Sequence, residues 1–433
     1  METAEVKRAI QNQEDERRGI LESERIIERE AGRDFVERSF GHPNIVAVLG
    51  PRRCGKSVFS WRSMGDRTHG YINFDDPALL GMKAADLEVV MKAMYELYGT
   101  GLGHIILDEP QNVKGWELFV SRLRGTKRVI ITGSNATLFS GELSSRLTGR
   151  HSDFTLHPFS FREHLTHGGI KAGVLSPADH STATSALAAS LLTEYMRIGG
   201  FPEVRKFGTG ILKTLFRDIV KRDVRDRHGI RRGDALEVMA KALLSRSSME
   251  FTYSRLKTPD GARKVHTVRE WVRHLRDAGL VYVLNRFSFK LKQQEIAPRK
   301  VHCTDTGMLD AVAFTTSGNR GLHMETLVAA ELFRRRDYWR ENLEIYYWKD
   351  ARQREVDFVL KEGPKVVQLI QCCYDPGSPD THERETSALL EASHQLRCRD
   401  LLVLTWEHEA EEAPEGRMVR FLPLWKWLMT PPG

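Results

Sequence analysis

The stretch Gly-Pro-Arg-Arg-Cys-Gly-Lys-Ser at residues 50–57 lies between the apolar run IVAVL and the segment VFSWRSM. It matches GxxxxGK[ST] in full, with a β-branched strand before it and a helix-compatible segment after it. The pattern works only where a strand of a parallel sheet hands the chain to a helix whose free N–H groups face the ligand edge. Gly50 and Gly55 let the backbone curl around an anion, Pro51, Arg52, Arg53 and Cys54 form the arch between them, and Val58 continues into the helix. Lys56 is placed to reach the β- and γ-phosphates of a nucleoside triphosphate, and the Ser57 hydroxyl to ligate magnesium. A plain glycine turn before a core helix would need neither the whole pattern nor both neighbours.

Such a loop calls for a carboxylate on a neighbouring strand. HIILDEP, residues 104–110, supplies a buried strand ending in Asp108 and Glu109. Asp108 is the expected partner of the magnesium ion, and Glu109 the group that polarises the attacking water. The same pair also fits an ordinary strand end. RVIITGSN brings Ser134 and Asn135 to the same edge, where one of the two is expected to meet the γ-phosphate or the water. The candidate strands IVAVL, GYINF, HIILD, RVIIT and DFTLH, separated by helix-length segments, predict a parallel, three-layer α/β domain. The extra strand after the metal carboxylate, with the adjacent Asp-Glu, points to hydrolysing ATPases rather than kinases or GTPases. Arg146 and Arg150, four residues apart, share one face of any helix there. They are candidates for an arginine finger reaching a neighbouring subunit, or else solvated surface residues.

VLGPRRCGKS, YINFDDP, HIILDEPQNVKGWE, ITGSNATLFSGELSSRLTGR, LHPFSFREHL and YMRIGGFPEV follow one another along the chain. In that order they resemble a family of archaeal and bacterial AAA-type P-loop ATPases whose C-terminal region is similar to the restriction-endonuclease fold. The resemblance runs from about residue 22 to 430. It implies the AAA+ type of P-loop fold, ATP as the nucleotide with Mg2+, and an assembly of several subunits. It does not by itself give a biological role.

LLTEYMRIGGFPEV, residues 191–204, reads as a helix closed by Gly199-Gly200, the kind of junction that ends an ATPase core. In the following KTLFRDIVKRDVRDRHGIRR, eight Lys and Arg accompany three Asp, a mixture that suits a solvated helix face or a nucleic-acid contact. TVREWVRHLRDAGLVYVLNRFSFKLK sets Val268, Val272 and Leu275 at helical spacing and turns at Gly279 into an alternating strand. Helix, short turn and ribbon make the pattern of a winged helix, whose second helix commonly enters the major groove. Arg263, Lys264, Arg269, Arg273 and Arg276 are then the expected DNA contacts; a small lid or a scaffolding winged helix is the alternative.

From about residue 298 the chain runs helix, strand, acid-tipped strand and strand, the order of the restriction-endonuclease fold. In that fold a helix Glu, a strand Asp and a Glu-x-Lys surround a metal ion. Glu325 and Asp357 match the first two. The third element departs from the pattern, because Gln371-Cys372-Cys373 stands where Glu-x-Lys belongs. An amide is a weaker magnesium ligand than a carboxylate, and a thiol has no fixed positive charge. A degenerate site that binds DNA or only scaffolds is expected, with Lys349 or Lys365 as the residues that could migrate into the gap. Trp425 and Trp427 read as packing residues rather than a base-stacking platform.

The expected organisation is an N-terminal charged helix (1–21), the P-loop AAA-type ATPase domain (22–190), a helical lid with the winged helix (191–297) and the nuclease-like α/β domain (298–433). A formal charge of +7 agrees with a polyanionic partner. No apolar stretch approaches the roughly 20 residues that cross a bilayer, and the charged N-terminus is unlike a signal peptide, so a cytoplasmic protein without membrane contact is expected. Its five cysteines include one adjacent pair and no CxxC, which suggests reduced thiols. Three functions follow: an ATP-driven DNA-binding machine, on branched or junction DNA by analogy with archaeal resolvases; a signalling or defence switch with a protein partner; and an ATP-dependent nuclease.

Overall fold

The computed structural model describes residues 1–134, 149–257, 264–314 and 320–431. Its contacts divide the chain into two units, Met1–His157 and Pro158–Gly433. No helix among the described residues is long and apolar enough to cross a membrane.

The first unit is built on five parallel strands, β1 (Ile45–Leu49), β2 (His69–Asn73), β3 (His104–Asp108), β4 (Arg128–Gly133) and β5 (His151–Thr155). Their order across the sheet is β2-β3-β4-β1-β5. All five residues of β1 are buried, as a continuous Ile/Val/Ala/Leu run must be when helices cover both faces. Leu49 lies opposite Gly133 and Asp108 opposite Thr132, so the carboxyl ends of β1, β3 and β4 come level. The N-terminal helix Thr3–Ser23 belongs to this unit. Its Val6, Ala9 and Ile10 enter one core with Val90, Met91 and Met94 of the helix Leu87–Tyr98. Its Gln13 closes the end strand β2, accepting from the Asn73 amide at 2.8 Å and donating to the Asn73 carbonyl at 3.1 Å. An amide side chain thus takes up hydrogen-bonding groups that a bare sheet edge would leave exposed.

The second unit carries one nine-stranded sheet. Its strands are β6 (Met249–Phe251), β7 (Val281–Arg286), β8 (Arg299–Cys303), β9 (Leu343–Lys349), β10 (Glu355–Glu362), β11 (Lys365–Cys372), β12 (Leu401–Thr405), β13 (Ala410–Glu412) and β14 (Val419–Pro423), in the order β13-β14-β12-β11-β10-β9-β7-β8-β6. The antiparallel ribbon β7-β8 is continuous with the rest because Asn285 and Arg286 of β7 pair in parallel with Tyr346 and Tyr347 of β9. The period of two sorts the side chains between two cores. Ile370, Leu402 and Leu404 join Leu327, Val328 and Leu332 of the helix Arg320–Trp339, whereas Leu369, Leu401 and Val403 join Leu389 and Ala392 of the helix Pro379–Leu396. Trp425 and Trp427 are buried in the first of these cores, as expected of packing residues.

The helix Thr182–Ile198 ends at Gly199, with φ of 77°. A side chain at Gly199 would meet the Asp305 carboxylate 2.2 Å away, and one at Gly200 the Phe159 carbonyl at 2.3 Å. Asp305 accepts from the Gly200 amide at 2.6 Å and from Met308 at the start of the helix Thr306–Val312. The glycine pair therefore lets two chain segments approach to backbone contact.

Candidate functional site

The loop after β1 has the conformation its glycines allow. Gly50, Arg53 and Gly55 have φ of 148°, 62° and 97°, and the helix Lys56–Ser63 starts directly behind Gly55. A Cβ on Gly50 would stand 2.2 Å from the Leu156 carbonyl, so the loop is pressed onto the chain leaving β5. The buried guanidinium of Arg29 supports it from behind, donating to the carbonyls of Cys54 (3.2 Å) and His157 (2.6 Å). The Lys56 ammonium rests on the carbonyls of Gly50 (3.1 Å) and Pro51 (3.0 Å), and no carboxylate among the described residues pairs with it. A lysine held only by loop carbonyls, within an arch of backbone N–H groups, suits a phosphate anion. The Cys54 thiol points elsewhere. It is buried and donates to the Leu156 carbonyl at 3.3 Å, and burial raises its pKa although Lys56 and Arg29 pull the other way. The cradle can therefore use only the backbone of Cys54.

Asp108 at the end of β3 is 3% exposed and accepts two hydroxyl donors, Tyr71 at 3.0 Å and Thr132. Burial first, and then the Asp108 carboxylate, push the Tyr71 phenol far above its ordinary range, so it remains a donor. Glu109 adopts φ of 51°, a left-handed backbone that is uncommon for this residue, and its carboxylate accepts from the Gln111 amide. Ser57 is half-buried in the first turn behind the loop, and Ser134, just past β4, is 1% exposed. The structure thus assembles Gly50, Lys56, Ser57, Asp108, Glu109 and Ser134 along one edge of one sheet. Asn135 and Arg146 lie outside the described residues; Arg150, just before β5, has an exposed side chain. Arg29, Tyr71, Thr132 and Gln111, which hold this edge together, belong to no local motif of the sequence.

Comparison with known proteins agrees with this geometry. A family model described as an AAA domain matches residues 42–165, and models of two domains of unknown function, DUF8612 and DUF4143, match 189–319 and 320–427. The uncharacterized protein MJ1544 of Methanocaldococcus jannaschii is 30% identical over 408 residues, spanning 90% of this chain and 89% of that protein. The chain belongs to the MJ1544 family. An uncharacterized protein of Haemophilus influenzae is 25% identical over 363 residues, 79% of this chain and 85% of its own. Among solved structures, the Walker-type ATPase PABY2304 of Pyrococcus abyssi is 14% identical with a TM-score of 0.41, covering 66% of this chain and 96% of its own. A STAND protein with a tetratricopeptide repeat sensor from Pyrococcus horikoshii gives 11% and 0.25, over 71% and 45%. The first unit of this MJ1544-family chain is an AAA domain, a P-loop ATPase domain.

The second unit of the family member holds a separate buried cluster. Glu325, on the helix Arg320–Trp339, and Asp357, on β10, converge as expected, and so does Gln371 on β11, whose amide oxygen accepts from the Asp357 amide at 3.2 Å. The cation in their midst is neither Lys349 nor Lys365. It is Lys300 of β8, 2% exposed, whose ammonium lies 2.6 Å from Glu325, 2.6 Å from Glu355 and 2.8 Å from Asp357. Lys349 stands one step out, 3.1 Å from both Glu355 and Glu250, while Lys365 is exposed at the start of β11. Asp357 also accepts from the Cys372 amide at 3.0 Å, and the Gln371 amide donates to Glu385 at 2.6 Å. Burial and then Asp357 push Glu325 up to about 8, whereas its three carboxylate neighbours hold Lys300 well above the ordinary lysine range despite burial. Lys300 stands beside Arg299 and two residues before His302 in RKVHC, so the strand gives no local signal that this lysine is the buried cation.

The helix Val265–Asp277 turns Val268, Trp271, Val272 and Leu275 inward and leaves Arg269, Arg273 and Arg276 exposed. Lys264, just ahead of it, is exposed too, and Arg263 lies outside the described residues. The Arg269 guanidinium lies 5.3 Å from the Tyr253 ring centre and Arg276 donates to Asp277 at 2.8 Å. Tyr253 also carries Arg299 at 4.9 Å, so the start of β8 and this helix are drawn to one aromatic ring.

Proposed function

We propose that this protein is an ATP-hydrolysing AAA ATPase that binds DNA, branched or junction DNA by analogy, with the P-loop unit as motor and the second unit as a grip that does not cut. Lys56 binds the β- and γ-phosphates together with the backbone N–H groups of residues 50–58, and Glu109, oriented by Gln111, draws the proton from the attacking water. Magnesium, for which Ser57 and the Asp108 carboxylate are suitable donors, neutralises phosphate charge when bound. Ser134 is the candidate for contact with the γ-phosphate or the water. Arg150, exposed just before β5, is the finger candidate among the described residues in a homo-oligomer.

The observation that carries the DNA reading is the two-sided helix Val265–Asp277. Its apolar row is buried and its outward Arg269, Arg273 and Arg276 fall at steps of four and three residues, one continuous basic face. The helix Gly233–Leu244 precedes it and the antiparallel pair β7-β8 follows it, with exposed Lys290 and Lys292 in the connection, which suits a winged helix. ATP turnover measured with single-stranded, duplex and four-way-junction DNA at low and moderate salt tests this. Stimulation by one DNA form, abolished by Lys56→Ala and weakened with a shallower salt dependence by Arg273→Ala, is expected. Turnover that depends on Lys56 but ignores every DNA would put a nucleotide switch with a protein partner in its place.

A further inference from the structure

The restriction-endonuclease fold that the C-terminal sequence resembles would carry a divalent metal held by Glu325, Asp357 and a third ligand. The residues present do not fit it. The three carboxylates that converge are Glu325, Glu355 and Asp357, and an ammonium stands at 2.6, 2.6 and 2.8 Å from their oxygens. The ammonium donates a hydrogen bond to Asp357 and forms close ion pairs with Glu325 and Glu355, so it fills the space between the three groups. No group of three or more His, Cys, Asp or Glu suited to a metal ion is found among the described residues.

We propose that Lys300 is the resident cation of this cluster, standing where a nuclease would hold its metal. It makes the site independent of divalent ions and unable to cut, and its removal uncovers a metal site. The ring around it supports this assignment. The second oxygen of Glu355 is taken by Lys349 at 3.1 Å, the second oxygen of Asp357 by the Cys372 amide at 3.0 Å, and Gln371 is engaged on both sides, by the Asp357 amide and by Glu385. A hydrated divalent ion would need Lys300 to leave, and a buried strand residue at 2% exposure has nowhere to go without opening β8. Lys300 also has a second consequence. It comes from the ribbon β7-β8, whereas its carboxylates come from the helix Arg320–Trp339 and β10, so the ion cluster pins the ribbon to the rest of the sheet. This inference does not depend on DNA being the partner.

The test uses the nucleotide-free full chain, so that the P-loop does not bring in a metal with its nucleotide, and reads Mn2+ binding by electron paramagnetic resonance alongside the melting temperature. Wild type is expected to bind no Mn2+ saturably and to melt at the same temperature in EDTA and in Mn2+. Lys300→Ala is expected to melt lower in EDTA, to bind one Mn2+ per chain, and to recover melting temperature as the ion fills the site. Adding Asp357→Asn should abolish that recovery. If Lys300→Ala does not fold, the wild-type measurement still decides: saturable Mn2+ binding that Asp357→Asn removes would overturn the proposal. A folded Lys300→Ala that ignores Mn2+ would overturn it equally.

Discussion

Of the three lysines buried among the described residues, Lys56, Lys300 and Lys426, the first two lie in different units and their surroundings are opposite. Lys56 is 7% exposed and hydrogen-bonded to two loop carbonyls, while Lys300 is 2% exposed and ion-paired with three carboxyl groups. A carbonyl dipole steadies an ammonium without cancelling its charge, so Lys56 keeps positive potential available to an incoming phosphate. The carboxyl groups around it already supply its counter-charge, so Lys300 has nothing left to offer a ligand and acts on the fold. Burial alone does not make a charged residue a site; what matters is whether the protein has already supplied its counter-charge.

The largest expected effect lies on the Lys300 side of that contrast. Lys300→Ala strands buried carboxylates, and breaking such a cluster from one side costs about 3–5 kcal/mol, read as a lower denaturant midpoint in EDTA. Loss of less than about 1 kcal/mol would mean that Lys300 is not the cluster's cation. The same substitution at Lys56 should do the reverse: ATP turnover falls roughly 10²–10³-fold, as when one charge-stabilising donor is removed from a reaction centre, while stability changes by about 1 kcal/mol or less. A Lys56→Ala protein that unfolds instead would place this lysine among the structural ones. A third, smaller effect separates two kinds of glycine. Gly50→Ala has both a positive φ and a backbone carbonyl 2.2 Å from the new Cβ, whereas Gly208→Ala has φ of 74° and nothing within 4 Å. Gly50→Ala should cost about 1–3 kcal/mol and weaken ATP binding, and Gly208→Ala about 1 kcal/mol without touching it. Equal losses of nucleotide affinity in the two variants would show that the approach to Leu156 does not set the loop.

These contrasts also show what could be read from the sequence and what could not. The five strands of the first unit were legible because helix-length segments separate short, largely apolar stretches, most strongly apolar in IVAVL, HIILD and RVIIT, and the structure places them within two residues of those stretches, parallel as the loop pattern demands. The edge residues Lys56, Asp108 and Glu109 were legible because their motifs are local. Arg29 and Tyr71 were not, since their partners Cys54, His157 and Asp108 are 25, 128 and 37 positions away and no periodicity encodes such pairs. Glu325, Asp357 and Gln371 could be aligned to a pattern, and they do converge, but the pattern offered Lys349 or Lys365 for the gap. Lys300 fills it from a strand that precedes all three in the chain, and strand order in a nine-stranded sheet is not written in any one segment. Likewise the ribbon after Gly279 was visible as an alternating strand, whereas its pairing with β9 is set by sheet assembly.

The gentlest probe of the same contrast is acid. In the second unit several imidazoles are kept neutral. Burial pushes His164 down to about 3, with Arg205 adding to it, and His228 down to about 4, with His274 against its ring at 3.6 Å between centres; burial lowers His274 as well and holds His302, beside Lys300, well below the ordinary range. A depressed folded pKa means that the unfolded chain takes up more protons on acidification. Stability is therefore complete above the ordinary histidine value of 6.5 and is lost as pH falls from there through the folded values near 4 and 3. Asp305, raised by burial to about 6, works the other way, since it takes its proton more readily in the folded state and so favours that state as pH falls through 6. Glu325, raised to about 8, and Glu385, also raised by burial, act in the same direction as Asp305, so the downward slope between pH 6.5 and 4 is the imidazoles' own contribution. His228→Gln keeps a neutral side chain beside His274 and should flatten part of that slope, seen as a smaller drop in the denaturant midpoint between pH 7 and 5. A variant whose midpoint falls as steeply as wild type would remove the stacked pair from the account and leave the acid response to His164 and His302.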